Sequence, residues 1–197
     1  MPSEPGLTSR QLDAPLKKCR AGKRVELDRF DPRETFGWQK EAAKSALADE
    51  QARLAELVAR LYAAEADGLM IVLQGIDAGG KGGTIRSVFA GLSPAAVNVF
   101  GFGVPSDEER AHDYLWRIHA HAPRRGTISV FDRSHYEDVL VVRVHGLVPD
   151  DVWQRRYRHI RDWERMLGDE RIHVVKFLLN VSSEEQRERL QDRIDDP

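Results

Sequence analysis

Leu69-Met70-Ile71-Val72-Leu73-Gln74-Gly75-Ile76-Asp77-Ala78-Gly79-Gly80-Lys81 is the stretch that decides the fold. The apolar run Leu69–Leu73 is short, unbroken and closed by glycine. That pattern predicts a strand buried on both faces rather than an amphipathic element. Gly75 to Lys81 fits G-x-x-x-x-G-K, placed after a buried strand and before a helix. Glycines let the backbone curl so that successive N–H groups face one anion. The helix N-terminus adds partial positive charge, and a lysine reaches the distal phosphates. Gly75, Ala78, Gly79, Gly80, Gly82, Gly83 and Thr84 are therefore candidate phosphate-binding positions. The hydroxyl residue that commonly follows the lysine is absent, since Gly82 and Gly83 stand there and Thr84 comes later. Asp77, inside the loop, offers an oxygen in its place. The bland reading of the same stretch is a glycine-rich strand-to-helix turn.

Outward from this loop, helical and extended patterns alternate. Upstream, Leu47, Leu54, Leu57, Val58 and Leu61 recur at helical spacing, and Asp67-Gly68 closes that helix. Downstream, a helix is expected over 83–90 and a strand over 97–100. The capping box Ser106-Asp107-Glu108-Glu109 predicts a helix to about His119. A strand follows over 127–131, then helices over 136–145 and 150–167 and a strand over 172–179. A second capping box, Ser182 to Glu185, opens a last helix towards Ile194. This order predicts an α/β fold with a parallel sheet sandwiched by helices.

The chain of 197 residues carries 41% hydrophobic and 31% charged residues and a formal net charge of -2. It is sized for one domain with a real core. Nothing in the bulk charge points to nucleic acid or a membrane, so an anion site must be local. Cys19 is the sole cysteine, which excludes an internal disulfide and a zinc-thiolate cluster. No apolar run approaches the roughly 20 residues of a membrane helix, and Met1 to Arg10 lack a signal-peptide core. A cytoplasmic protein is expected. Residues 1–35 read as an arm carrying Lys17, Lys18, Arg20, Lys23 and Arg24. It is either solvated or folded over the domain to help hold a polyanion.

Val130-Phe131-Asp132 is an apolar strand ending in a carboxylate, a Walker B layout. Ligands of open α/β sheets bind at the carboxyl ends of the strands. Asp132 is thus a candidate Mg2+ ligand, and Arg133 a candidate clamp on transferring phosphate oxygens. Alone, Asp132 also reads as a helix cap after a strand.

Three segments together resemble the polyphosphate kinase 2 family: Gly75 to Thr84, Val104-Pro105-Ser106 through Trp116-Arg117, and Phe131-Asp132-Arg133-Ser134-His135-Tyr136-Glu137-Asp138. Lys176-Phe177, Ser183 to Leu190, Arg193 and Asp196-Pro197 extend the likeness, which covers about residues 36–197. The resemblance implies a P-loop kinase fold similar to thymidylate and adenylate kinases. It implies phosphoryl transfer between inorganic polyphosphate and purine nucleoside mono- or diphosphates. It implies that Asp77 and Asp132 hold Mg2+, with Mn2+ as the alternative ion, and that Lys81 and Arg133 bind the transferring phosphates. Arg193 matches the arginine that opens the family's basic lid. The last helix runs into Asp195-Asp196-Pro197 without a closing element, so a longer natural protein is expected, and the resemblance implies a basic lid and C-terminal helices beyond residue 197. A homo-oligomer, dimer or tetramer, is also implied. The Arg110-Ala111-His112-Asp113-Tyr114-Leu115-Trp116 and His135-Tyr136-Glu137-Asp138 versions most resemble the subgroup accepting both mono- and diphosphates.

Other clusters read more plainly. Arg155, Arg156, Arg158 and Arg161 share one helical stretch, either as a solvated face or as two residues lining a polyphosphate groove. The histidines are scattered. Trp116, Trp153 and Trp163 read as core or interface residues. Two rival functions use the same loop: a nucleoside monophosphate kinase with ATP as donor, and a non-catalytic phosphate-binding module.

Overall fold

The computed structural model describes residues 17–22 and 25–195. Residues 1–16 of the expected arm, Lys23 and Arg24 of its basic cluster, and Asp196-Pro197 lie outside the described residues. Four strands, β1 (Gly68–Gly75), β2 (Val97–Gly101), β3 (Ile128–Asp132) and β4 (Ile172–Leu179), form a parallel sheet in the order β2-β3-β1-β4. Helices α1 (Lys40–Ala64), α2 (Lys81–Phe89), α3 (Asp107–Ala111), α4 (Trp116–His119), α5 (Glu137–Val144), α6 (Asp150–Asp169) and α7 (Ser183–Asp195) punctuate them. The alternation expected from sequence is the alternation observed.

The chain divides into two compact units. The larger, Ala55–Gly75 with Gly80–Leu179, contains the whole sheet. Its core gathers Met70 and Val72 of β1, Phe131 of β3, Ile118 of α4, Trp163 and Leu167 of α6, and Phe102. The central strands β1 and β3 are the buried ones, which is why their sequences are apolar without alternation. β4 is also largely apolar, though broken by His173 and Lys176, but lies at the sheet edge, and Phe177 and Leu178 are about half exposed.

Among the described residues, the smaller unit holds those up to Leu54, Ile76–Gly79, and those from Asn180 to Asp195. Here Asn180 donates its side-chain N–H to Phe30 O at 3.2 Å, and Arg33 pairs with Glu184. Helix α7 starts as expected, with Glu185 N–H donating to Ser182 Oγ at 3.2 Å.

One element differs. The helix expected from Ser106 to His119 is two short helices. Its N-terminal capping box is complete, with Glu109 N–H on Ser106 Oγ and Ser106 N–H on Glu109 Oε2. At His112 the backbone turns extended, and the Asp113 carboxylate accepts from Leu115 N–H at 3.0 Å. That local side-chain bond offers the backbone an alternative to helix continuation.

Candidate functional site

The larger unit shapes both ends of the glycine loop. β1 delivers Gly75, whose position is tight: a Cβ there would lie 3.1 Å from Leu179 O on the neighbouring β4. At the other end, Gly80 caps α2 with φ +89°, a conformation that strains any residue with a Cβ. Lys81 opens the helix. Its side chain is buried and its ammonium donates to Gly75 O at 2.9 Å, so the charge is folded back across the mouth of the loop. Thr84 donates its hydroxyl to Gly80 O at 3.0 Å, which commits the hydroxyl proton to the helix backbone. A Cβ added at Gly82 or Gly83 would meet nothing within 4 Å. The first turn of α2 therefore presents bare backbone to open space, as a close-approaching anion requires.

Asp132 ends β3, and β3 is the neighbour of β1. The register pairs Leu73 with Asp132, and Arg133 N–H donates to Leu73 O at 3.1 Å. The carboxylate–guanidinium pair thus sits at the strand end next to the one that launches the loop. Arg133 adopts φ +64°, the left-handed region that an arginine seldom occupies. Two buried groups beneath it fix this turn. The Gln74 amide, oriented by its partners, accepts from Ser134 Oγ and Ser134 N–H at 3.0 and 3.3 Å and donates to Glu137 Oε1 at 3.0 Å. Ser134 Oγ also accepts from Tyr136 N–H at 3.2 Å.

The rest of the loop belongs to the smaller unit. Asp77 is exposed, whereas Ala78, at φ +58°, and Gly79 are buried. Helix α7 binds the loop through its carbonyls: Gln186 donates to Asp77 O at 2.9 Å and Arg189 to Ala78 O at 3.1 Å. A peptide carbonyl drawn one way turns the following N–H the other way. Arg193, one turn further along α7, is exposed. Of the sequence candidates, Gly75, Gly80, Lys81, Gly82, Gly83, Thr84, Asp132 and Arg133 lie in the larger unit, and Asp77, Ala78, Gly79 and Arg193 in the smaller.

Two buried polar networks in the larger unit escaped sequence reading. Arg117, buried, donates to Gly103 O at 2.9 Å and to Asp138 Oδ2 at 3.4 Å. Arg156 donates to Asp138 O at 2.7 Å and lies over the Tyr114 ring. Burial pushes the Asp138 carboxyl up despite the two guanidiniums, and it pushes the Tyr114 hydroxyl up to about 12. Of the arginine stretch, Arg155 pairs with Asp151 across one helical turn at 2.7 Å while its neighbour Arg156 is half-buried. In the second network Glu164 accepts from Tyr136 Oη (2.9 Å) and Lys176 Nζ (2.6 Å) and lies 3.3 Å from buried His135 Nε2. Burial pushes the Glu164 carboxyl up, but these hydrogen bonds together hold it below its ordinary range. Trp163 is core; Trp116 is partly exposed and stacks on His112. The roles of Gln74, Ser134, Gln186 and Arg189 show only in three-dimensional contacts, although the last three lie in segments that carry the family resemblance. Beside β2 lies a cavity of about 390 Å³ bordered by Phe100, Phe102, Glu109, Arg117 and His121.

The end of β1 is followed by a helix N-terminus and an ammonium, with a carboxylate one strand away; this is the arrangement of a P-loop kinase fold. The chain belongs to the polyphosphate kinase 2 family, whose model matches residues 37–197. It is 55% identical over 176 residues to the AMP/ADP-polyphosphate phosphotransferase of Meiothermus ruber, covering 88% of this chain and 66% of that one. It is 39% identical to the ADP-polyphosphate phosphotransferase of Rhodopseudomonas palustris, covering 89% and 65%. The crystal structure of polyphosphate kinase 2 from Arthrobacter aurescens superposes with a TM-score of 0.88 at 41% identity, over 93% of this chain and 67% of that one. The chain thus spans about two thirds of the length of these relatives. Among the described residues no helix is long and apolar enough to cross a membrane.

Proposed function

We propose that this protein transfers phosphoryl groups between inorganic polyphosphate and nucleoside mono- and diphosphates, making ADP and ATP or GDP and GTP. The observation that carries the reading is the buried Lys81 on a glycine loop with Asp132-Arg133 at the adjacent strand end, in a chain whose similar relatives are named polyphosphate phosphotransferases. Phosphoryl transfer asks for positioning and charge neutralisation more than covalent chemistry. An acceptor phosphate oxygen attacks the terminal phosphorus of polyphosphate in line. The bond to the penultimate unit breaks, and the chain leaves one unit shorter. The loop amides orient the phosphates, while the Lys81 ammonium and the Arg133 guanidinium neutralise charge that builds on the transferring oxygens. Arg193 adds a further cation in the same role.

Asp77 and Asp132 are the carboxylates assigned to Mg2+. The donor set fits: Mg2+ takes one or two carboxylates and fills its shell with water and substrate phosphates. Accordingly, a cluster of three or more protein ligands is not required, and none occurs among the described residues. Bound Mg2+ would supply charge neutralisation between the two phosphate chains. Manganese would serve the same oxygens. An assembly of two or more copies in the cytoplasm belongs to the same reading, and sedimentation velocity tests the assembly.

The deciding experiment offers polyphosphate and Mg2+ to AMP, ADP, GMP and GDP with no nucleotide donor. Nucleoside di- or triphosphate should form, and Asp132→Asn should abolish it. Transfer from ATP to a monophosphate, with none from polyphosphate, would replace this reading by an ordinary nucleotide kinase.

A further inference from the structure

The buried network around Glu164 has no part in the phosphate chemistry above, yet it fastens the turn that carries Arg133. That turn leaves β3 at Asp132; Arg133 takes the left-handed conformation, and Ser134 and His135 after it are fully buried. Ser134 is secured from β1 by Gln74. His135 and Tyr136 are secured from α6 by one side chain, Glu164. Its Oε1 accepts from Tyr136 Oη at 2.9 Å and lies 3.3 Å from His135 Nε2, and its Oε2 accepts from Lys176 Nζ of β4 at 2.6 Å. Lys176 Nζ also donates to Tyr136 Oη at 3.0 Å, so carboxylate, phenol and ammonium close a ring of hydrogen bonds.

The chemistry of the imidazole makes Glu164 the deciding member. His135 Nδ1 is buried and has no hydrogen-bond partner among the described residues; nor has Nε1 of Trp163, whose ring meets the imidazole edge-on at 5.1 Å. A buried N–H without an acceptor is costly, and a neutral imidazole carries one proton. That proton therefore belongs on Nε2 and points at Glu164, which fixes both the tautomer and the ring's orientation. A residue held at φ +64° stays there only while its neighbours over-determine it. If His135 and Tyr136 are released, Arg133 can return to commoner conformations and carry its charge away from the strand end. We infer that Glu164 is a positioning residue for the transfer: it touches no phosphate and acts through His135 and Tyr136, holding the turn in the conformation that aims Arg133. The inference rests on the transferase reading for what Arg133 binds. It adds α6 and β4 to the elements that support the turn, opposite in sequence to the support from Gln74.

Glu164→Gln keeps the size of the side chain but sets an amide where Lys176 and His135 need a carboxylate, and Tyr136→Phe removes a single hydroxyl. Both are assayed below the onset of their own unfolding transitions. With polyphosphate and ADP saturating, Glu164→Gln should lower kcat roughly 10–100-fold and Tyr136→Phe by a smaller factor, because a displaced charge is lost to the transition state. In an Arg133→Ala background, with transfer followed at excess enzyme, Glu164→Gln should cost no more than about twofold, since no guanidinium is left to misplace. Losses that multiply in the double variant, or a normal kcat in folded Glu164→Gln, would overturn the assignment. Hydrogen exchange reads the turn without activity. The Arg133 amide, which donates to Leu73 O at 3.1 Å, should exchange at least roughly tenfold faster in Glu164→Gln, beyond any change at the core amide of Val72. If wild type transfers nothing from polyphosphate while this amide still quickens, Glu164 holds the turn and the transferase reading falls. If wild type transfers but the amide is unmoved, the transferase reading stands and the role of Glu164 falls.

Discussion

Asp138→Asn tests whether the buried arginine network holds the larger unit together. Asp138 and Arg117 are both nearly inaccessible, with side-chain exposures of 11% and 6%. Removing the carboxylate charge leaves Arg117 with Gly103 O at 2.9 Å and a distant Glu109 at 3.8 Å. Breaking a buried pair from one side costs about 3–5 kcal/mol, mainly because a charge is left without its partner. The contacts to Asp138 are long, 3.4 Å from Arg117 and 3.7 Å from Arg156, so the lower end, roughly 3 kcal/mol, is expected. For a chain of this size that corresponds to a fall of roughly 6–12 °C in Tm. Burial also pushes the Asp138 carboxyl up, so its own ionisation is not what stabilises the fold; the loss comes from orphaning Arg117. Consequently the double variant Arg117→Met/Asp138→Leu, which removes both charges, should recover most of the loss. Thermal and urea unfolding of wild type, the single variant and the double variant measure all three. A single variant within about 1 kcal/mol of wild type would refute the reasoning, as would a double variant no better than the single.

Gly82→Ala should raise Tm by roughly 2–4 °C, because alanine gains up to about 1 kcal/mol in a helix and the Cβ meets nothing. The same change should cut transfer at least roughly tenfold if phosphate fills that space; an unaltered rate would remove phosphate from the first turn of α2. Gln186→Ala and Arg189→Ala should lower transfer by roughly 10–100-fold while leaving Tm close to wild type, since they release the carbonyls of Asp77 and Ala78 on an exposed helix. A large Tm loss with normal kinetics would make them structural instead. Glu164 contributes stability with a definite pH signature. Its folded pKa is depressed, so the contribution is complete above its ordinary 4.5 and is lost as pH falls through the folded value. The stability gap between wild type and Glu164→Gln should therefore shrink below about pH 4.5, and a gap independent of pH would contradict the assignment.

The sequence reading reached the loop, the strand before it and Asp132-Arg133 because each depends on local pattern. Leu69–Leu73 needs no alternation, since β1 is flanked by β3 and β4 and buried on both faces. Ile172–Leu179 was legible for the same apolar character, yet its exposed Phe177 and Leu178 show that an apolar run gives the element and not its place in the sheet. The helix expected to run through His112 failed for a short-range reason, the Asp113 side chain competing for backbone N–H. The buried networks were illegible for a long-range one. Arg155 and Arg156 are adjacent and alike in sequence, but the first meets a neighbour one turn away and the second meets Asp138 on another helix. The cavity beside β2 depends on Phe100, Glu109 and His121 converging from three separate segments, which no spacing rule records.

Arg133 shows where local and global preferences part. A strand alternates its side chains, and continuing β3 through Arg133 would keep that alternation. The left-handed φ of +64° breaks it at the residue we propose to bind the transferring phosphate. Such a conformation costs an arginine roughly 1–2 kcal/mol, so the surroundings must over-determine it. They do so from both sides. Arg133 N–H is held by Leu73 O, and the next residue, Ser134, is fully buried and fastened to Gln74 of the neighbouring strand. Gln74 in turn engages Glu137 at the start of α5. The polar residue that follows the apolar run of β1 is thereby explained. Its amide ties the strand that launches the glycine loop to the turn that carries Arg133, so a single buried side chain joins the two strand ends to which we assign phosphate binding.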